Sequence, residues 1–182
     1  MQTNKGKIHI AEAGVDMNVF VTLDRNYLPP LQVMLTSLFI NNAGEVFDIW
    51  LAGDGFTEED RMIVEKTCQH YGHTLHMVQV PEGAFANAPV IRYYSRAMYY
   101  RLLAAQLLPD TLDKVLYLDP DILVINSVRP LYDTDMQDVL YAAATHEGLN
   151  GVSSQIAKIR LSTPEGKAYV NSGVLLMNLE KM

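Results

Sequence analysis

Apolar residues in this chain fall into blocks of two kinds. Some run continuously, rich in β-branched residues, and stop at a charge or a glycine. Others recur every third or fourth position between a proline or hydroxyl start and an asparagine or glycine stop. "MNVFVTL" (Met17 to Leu23) is of the first kind and predicts a buried strand ending at Asp24. "PPLQVMLTSLFINN" is of the second kind. Leu31, Met34, Leu35, Leu38 and Phe39 share one helical face, with prolines at the entry and asparagines at the exit. "VFDIWLAGDG" predicts a second strand, and Thr57 caps a helix whose positive first turn holds Glu58, Glu59 and Asp60. Gly72 closes that helix, and "TLHMVQVP" predicts a third strand with partial alternation. After a Pro-, Gly- and Ala-rich loop over 81–93, "YSRAMYYRLLAAQLLP" predicts a helix ending before Pro109. "KVLYLD", "VLYAAAT" (Val139 to Thr145) and "YVNSGVLLMNL" predict three more strands, with a short helix between loops expected in "GLNGVSSQIAKIRLSTPEGK".

Strands alternating with helices imply an α/β layer fold with a mainly parallel sheet. Ligands of such sheets bind at the carboxyl ends of the strands. Asp24, Asp54, Asp119 and Asp121 all fall at predicted strand ends. Composition narrows the classes further. Of 182 residues, 49% are hydrophobic and 19% charged, which suits one folded domain rather than a disordered chain. A formal net charge of -7 argues against nonspecific nucleic-acid binding, so no nucleic-acid partner is expected. The single cysteine, Cys68, excludes an internal disulfide and reads as a half-buried thiol of a reducing cytosol. No segment approaches the roughly 18–20 apolar residues of a membrane span. Residues 1–16 lack the apolar core of a secretory signal and are expected to be an extension to a domain over 17–182, with Met17 as an alternative start.

Two aspartates one residue apart close the strand in "KVLYLDPDILVINS" (Lys114 to Ser127). Side chains at i and i+2 of an extended segment point the same way, and Pro120 stiffens the step between them. Convergent carboxylates at a strand end repel each other and are costly to desolvate, but they are the hard oxygen ligands that Mg²⁺ or Mn²⁺ prefers. The same context fits a strand-to-turn cap equally well. A second Asp-x-Asp, Asp133 and Asp135 in "LYDTDMQD", has polar surroundings and reads as a solvated turn.

Four stretches, in this order, resemble glycosyltransferase family 8, retaining enzymes of GT-A fold that use UDP-sugars and Mn²⁺, of the bacterial lipopolysaccharide and general-stress type. They are "VTLDRNYLPPLQVMLTSL", "SRAMYYRLL", "KVLYLDPDILVINSVRPLYDTD" and "YVNSGVLLMNLEKM". The resemblance implies a role for each matching residue. Thr22 would contact the base through its backbone, Asp24 would accept a hydrogen bond, Asn26 would lie near the nucleotide, and Tyr27 would stack on uracil. Arg101 would reach the donor sugar and the carboxylates. Asp119 and Asp121 would bind Mn²⁺ (or Mg²⁺), Ile122 would line the ribose, and Asn171 would touch the donor sugar. The electrostatic part of catalysis would rest on Arg101, Asp119 and Asp121, and no covalent nucleophile is assigned. His146 or Glu147 would face the acceptor.

The activity so implied is Mn²⁺-dependent transfer of glucose or galactose, with retention, from a UDP-sugar to an unidentified saccharide, lipid-linked or other hydroxyl acceptor. The resemblance also leaves room for a homo-oligomer and for peripheral association with the inner membrane face. Members of the family carry further motifs: an Asp-Gln pair, a metal-binding histidine and a glycine–lysine segment on the diphosphate. None of them can be placed here, so the expectation is a chain that ends before them and is itself inactive. His70, His73 and His76 straddle a helix end and a strand start and read as surface or turn residues. Two alternatives stand beside transfer. One is noncatalytic nucleotide-sugar binding. The other is a haloacid-dehalogenase-type phosphohydrolase, which also places Asp-x-Asp after an apolar strand but wants Thr or Val where this chain has Leu123.

Overall fold

The computed structural model describes residues 16–86, 88, 96–145 and 170–182. Six strands form one sheet in the order β3-β2-β1-β4-β6-β5. They are β1 (Met17–Asp24), β2 (Phe47–Asp54), β3 (Thr74–Val78), β4 (Lys114–Leu118), β5 (Tyr141–Thr145) and β6 (Val170–Asn178). The β3-β2-β1-β4 pairings are parallel, and β6 runs antiparallel between β4 and β5. The sheet is mainly parallel, as the alternation of elements predicts, and the one antiparallel strand is the "YVNSGVL" stretch.

Alternation along the strands divides the core between two faces. Met17, Val19, Val21 and Leu23 of β1, with Phe47, Ile49 and Leu51 of β2 and Leu116 and Leu118 of β4, bury against helices α1 (Leu28–Ile40) and α2 (Glu58–His70). Leu31, Met34, Leu35, Leu38 and Phe39 are the buried residues of α1. On the opposite face Phe20, Ala52, Val115, Tyr117, Leu175 and Met177 pack beneath a 3₁₀ helix (Arg96–Leu103) and α3 (Ala104–Leu107). α4 (Arg129–Tyr132) is a single turn, and Asp133 and Asp135 after it are exposed, in keeping with a solvated turn. No helix among the described residues is long and apolar enough to cross a membrane.

Local chemistry accounts for the joints. Thr57 and Asp60 form a reciprocal capping box: the Asp60 amide donates to Thr57 Oγ1 at 3.2 Å and the Thr57 amide donates to Asp60 Oδ2 at 2.8 Å. These bonds, with Arg25 adding to them, hold the Asp60 carboxyl below its ordinary range. Arg25 reaches Asp60 Oδ2 at 2.7 Å and so ties the turn after β1 (Arg25–Tyr27, a 3₁₀ turn) to the start of α2. The segment after the paired aspartates has no regular structure, but α1 holds its backbone. The Val124 amide donates to Ser37 Oγ at 3.0 Å, the Val124 carbonyl accepts from Asn41 Nδ2 at 3.0 Å, and the Val128 amide donates to Asn42 Oδ1 at 2.8 Å.

Three expectations are corrected and a fourth is refined: the helix expected before Pro109 spans Arg96–Leu107 among the described residues, and most of it is 3₁₀. Arg101 Nε donates to the Met98 carbonyl at 2.8 Å, so a side chain takes an acceptor that the α ladder would use, and tighter winding turns both Tyr100 and Arg101 inward. The fifth strand starts at Tyr141 rather than Val139, because the Val139 amide closes a turn onto the Met136 carbonyl at 2.8 Å. Cys68 is fully buried, and burial pushes its thiol up to about 12. His73 is buried rather than superficial. Its ring packs on Phe39 and Phe47 with centroids 4.0 and 5.1 Å away, and desolvation lowers its pKa. The helix expected between 148 and 167, the extension over 1–15, and His146 and Glu147 lie outside the described residues.

Candidate functional site

Strand parity brings the acidic ends together. Asp24 lies on the same side of the sheet as Phe20, Asp54 as Ala52, and Asp119 as Tyr117, which is the face covered by the 3₁₀ helix. Asp24 and Asp54 are direct neighbours in the β1–β2 register. Two consecutive residues of the 3₁₀ helix then reach two different strand ends. Tyr100 donates its phenol to Asp54 Oδ2 at 2.5 Å, and Arg101 Nη1 stands 3.3 Å from Asp119 Oδ1.

Asp119 is the most constrained of the four strand-end aspartates. Tyr117 donates to its Oδ1 at 2.7 Å, and its amide donates to the Gly173 carbonyl at 2.8 Å. Burial, reinforced by the Asp119 charge, pushes the Tyr117 phenol far above its ordinary range, so it stays protonated and donates. Its oxygen also lies 3.2 Å from Thr22 Oγ1. Arg101 is 9% exposed, lies 4.7 Å above the Tyr117 ring, and donates from Nη1 to the Ser172 carbonyl at 2.7 Å. A guanidinium fixed by two carbonyls, an aromatic face and a carboxylate cannot swing away as a surface arginine would.

β6 closes over this cluster at a glycine. A Cβ on Gly173 would stand 2.5 Å from Asp119 Oδ2 and 3.1 Å from Asn171 Oδ1, so only glycine lets the strand pass so near. Asn171 is exposed, and its Oδ1 accepts the Gly173 amide at 2.8 Å, which makes it the turn residue that presents the glycine.

The other expected residues are placed as follows. Thr22 is buried. Asp24 Oδ1 accepts the Asn26 amide at 2.9 Å and caps the turn that carries Asn26 and Tyr27. Tyr27 is 37% exposed. Ile122 is half-buried against the α1 side of the core. Asp121 is exposed, two residues beyond Asp119, with no hydrogen-bond or ion-pair partner among the described residues. A cleft of about 650 Å³ opens beside Asp24 and Asp54, bounded by Val80, Glu82, Arg96 and Tyr100. It is separate from the Asp119 cluster in its lining but shares the 3₁₀ helix with it.

Tyr100, Tyr117 and Gly173 escape sequence reasoning. Tyr117 carries one usable signal, since it sits two residues before Asp119 on an extended strand and must share its face. Tyr100 and Gly173 act on partners far along the chain and carry none.

A divalent ion suits part of this arrangement. Asp119 and Asp121 offer hard oxygens, and Asp121 is free to turn toward a ligand. No group of three His, Cys, Asp or Glu residues that could hold a metal occurs among the described residues, so two carboxylates would leave most coordination positions to water and ligand oxygens.

Solved structures share this architecture. A galactosyltransferase, LgtC, crystallised with donor and acceptor sugar analogs, superposes with a TM-score of 0.79 at 32% identity, over 91% of this chain and 59% of that one. The fold is the GT-A type of nucleotide-diphospho-sugar transferases. The sequence model of glycosyl transferase family 8 matches residues 18–182, and the chain belongs to that family. It is 30% identical to a lipopolysaccharide 1,2-glucosyltransferase of Escherichia coli K12, over 91% of this chain and 48% of that protein. It is 26% identical to a lipopolysaccharide 1,3-galactosyltransferase of Salmonella typhimurium, over 89% of this chain and 48% of that protein. The chain spans about half the length of these curated relatives. Family membership removes the phosphohydrolase alternative.

Proposed function

We propose that this chain forms the donor-binding part of a retaining hexosyltransferase that takes glucose or galactose from a UDP-sugar, with Mn²⁺ or Mg²⁺ bound by Asp119 and Asp121. The acceptor is a saccharide or lipid-linked hydroxyl, and the reaction belongs to the cytoplasmic side of the inner membrane. The observation that carries this is Asp119, held in one orientation by Tyr117, Arg101 and the close passage of Gly173, with Asp121 open to solvent two residues on. A strand cap would need neither a buried arginine nor a glycine in van der Waals contact. Family membership and the glucosyl- and galactosyltransferase names of the relatives support the hexose donor.

The acidic cleft at Asp24 and Asp54 disfavours phosphate and suits a neutral nucleoside with hydrogen-bond donors, with Tyr27 three residues beyond Asp24 for stacking. The diphosphate then points toward Asp119, Asp121 and Arg101. A bound divalent ion would supply Lewis-acid stabilisation of the charge that gathers on the leaving diphosphate. The protein's own part is positioning. Tyr117 and Arg101 fix Asp119, Ser37, Asn41 and Asn42 hold the chain beyond Asp121, and Arg101 brings positive charge beside the carboxylate. The test is titration of the folded chain, in Mn²⁺, with UDP-glucose, UDP-galactose and GDP-mannose. Binding of the uridine sugars and not of GDP-mannose is expected, and a folded chain indifferent to all three would overturn the proposal.

A further inference from the structure

Tyr100 is 3% exposed, yet it lines the open cleft. Its hydroxyl donates to Asp54 at the end of β2, while its ring lies 6.4 Å from the ring of Phe85, next to the cleft residues Gly83 and Ala84 in the chain. Phe85 itself has φ 55°, a left-handed backbone that a bulky residue adopts only when its surroundings impose it. Its ring is stacked on Tyr99 at 5.4 Å. The segment over 81–86, of which 81–84 line the cleft, is further braced by turn bonds from the Ala84 amide to the Pro81 carbonyl and from the Ala86 amide to the Gly83 carbonyl, each 3.0 Å. Tyr100 therefore joins the end of β2 to a braced 81–86 segment, four residues of which line the cleft.

The carboxylates explain why the phenol matters. Asp24 and Asp54 end adjacent strands in register, so their charges sit side by side. One oxygen of Asp24 is held by the Asn26 amide and one oxygen of Asp54 by Tyr100, which leaves one acceptor on each for a ligand. Burial and the Asp54 charge push the Tyr100 phenol up to about 12, so it remains a donor at any physiological pH. Without that donor Asp54 would turn away from Asp24 into water, because like charges avoid each other. Arg101, the next residue, acts on Asp119 instead. The 3₁₀ helix therefore serves the nucleoside side through one residue and the diphosphate side through its neighbour.

We propose that Tyr100 is a positioning residue for the nucleoside half of the donor, fixing the Asp54 carboxylate beside the 81–84 wall of the cleft. This rests on the donor-binding function proposed above. The experiment uses the whole chain, wild type and Tyr100→Phe, with uridine, UDP, and UDP plus Mn²⁺, read by ligand-observed NMR and calorimetry. Loss of a hydrogen bond to a charged group partly open to water should weaken uridine and UDP by the same factor, about three- to tenfold. The factor by which Mn²⁺ tightens UDP should not change. Asp54→Asn, at an exposed side chain, should give the same loss, and combining the two should add little. Unchanged uridine and UDP affinity in Tyr100→Phe and Asp54→Asn overturns the proposal while leaving the donor site in place. A loss confined to the Mn²⁺ response also overturns it, since Tyr100 would then act through Arg101. A wild-type chain that binds neither uridine nor UDP overturns the donor site itself.

Discussion

Gly173→Ala tests how the Asp119 carboxylate is held. The added methyl would lie 2.5 Å from Asp119 Oδ2 and 3.1 Å from its Cγ. The backbones cannot part to relieve this, because the Asp119 amide is bonded to the Gly173 carbonyl at 2.8 Å and β4 and β6 pair on from Leu118 and Val174. The side chain must yield, and turning it breaks the 2.7 Å bond from Tyr117 and the 3.3 Å contact with Arg101. Overpacking of this kind costs about 1–3 kcal/mol. For a domain of this size Tm should fall by about 2–4 °C per kcal/mol. Displacing a carboxylate from its supporting bonds typically weakens metal affinity about 10–100-fold. Thermal unfolding without metal and UDP titration with and without Mn²⁺ read the two effects separately. A Gly173→Ala chain with wild-type Tm and wild-type Mn²⁺ response would show that β6 holds nothing in place.

Three further outcomes follow from single groups. Tyr27→Ala should weaken UDP by about 1–3 kcal/mol, the range for base–aromatic stacking, with Tm unchanged because the side chain is exposed; equal affinity in calorimetry would remove Tyr27 from the site. Asp121→Asn should abolish the Mn²⁺ dependence of UDP binding while leaving metal-free stability the same or slightly higher, since one of two repelling charges is gone; an unfolded variant would make Asp121 structural. His73 is held neutral by burial, with its pKa below the ordinary 6.5, so the folded state binds fewer protons than the unfolded one between those values. Its contribution is complete above pH 6.5 and is lost as pH falls through the folded pKa. Urea denaturation from pH 7.5 to 5 should therefore show a steeper loss in the wild type than in His73→Gln, and parallel slopes would exclude the effect.

Much of the architecture was legible because its causes are local. β1, β2 and the buried face of α1 follow from residue spacing, and the Thr57 cap follows from a hydroxyl set before three acidic residues. The 3₁₀ helix was not legible, since periods of 3.0 and 3.6 differ little over eight residues and the winding is set by one arginine bonding its own neighbourhood. His73 looked superficial beside Gly72, and only the packing of α1 and β2 around it makes it core. Strand ends gave Asp24, Asp54, Asp119 and Asp121. What distinguishes them is tertiary: Tyr100 and Arg101 approach from a distant helix, and Gly173 from a strand that runs the other way. Arg101 reads in the sequence as an ordinary polar helix residue and owes its place only to the family likeness.

The central claim is that Asp119 and Asp121 bind a divalent ion together with the diphosphate of a uridine nucleotide. Calorimetric titration of UDP into the chain, in Mn²⁺ and then in chelator, tests it most directly. Tight coupling is predicted: UDP affinity should rise at least about tenfold in Mn²⁺, and Mn²⁺ affinity should rise by the same factor in UDP, as linkage requires. UDP binding that is equal in Mn²⁺ and in chelator would contradict the claim and return the two aspartates to the role of a strand cap.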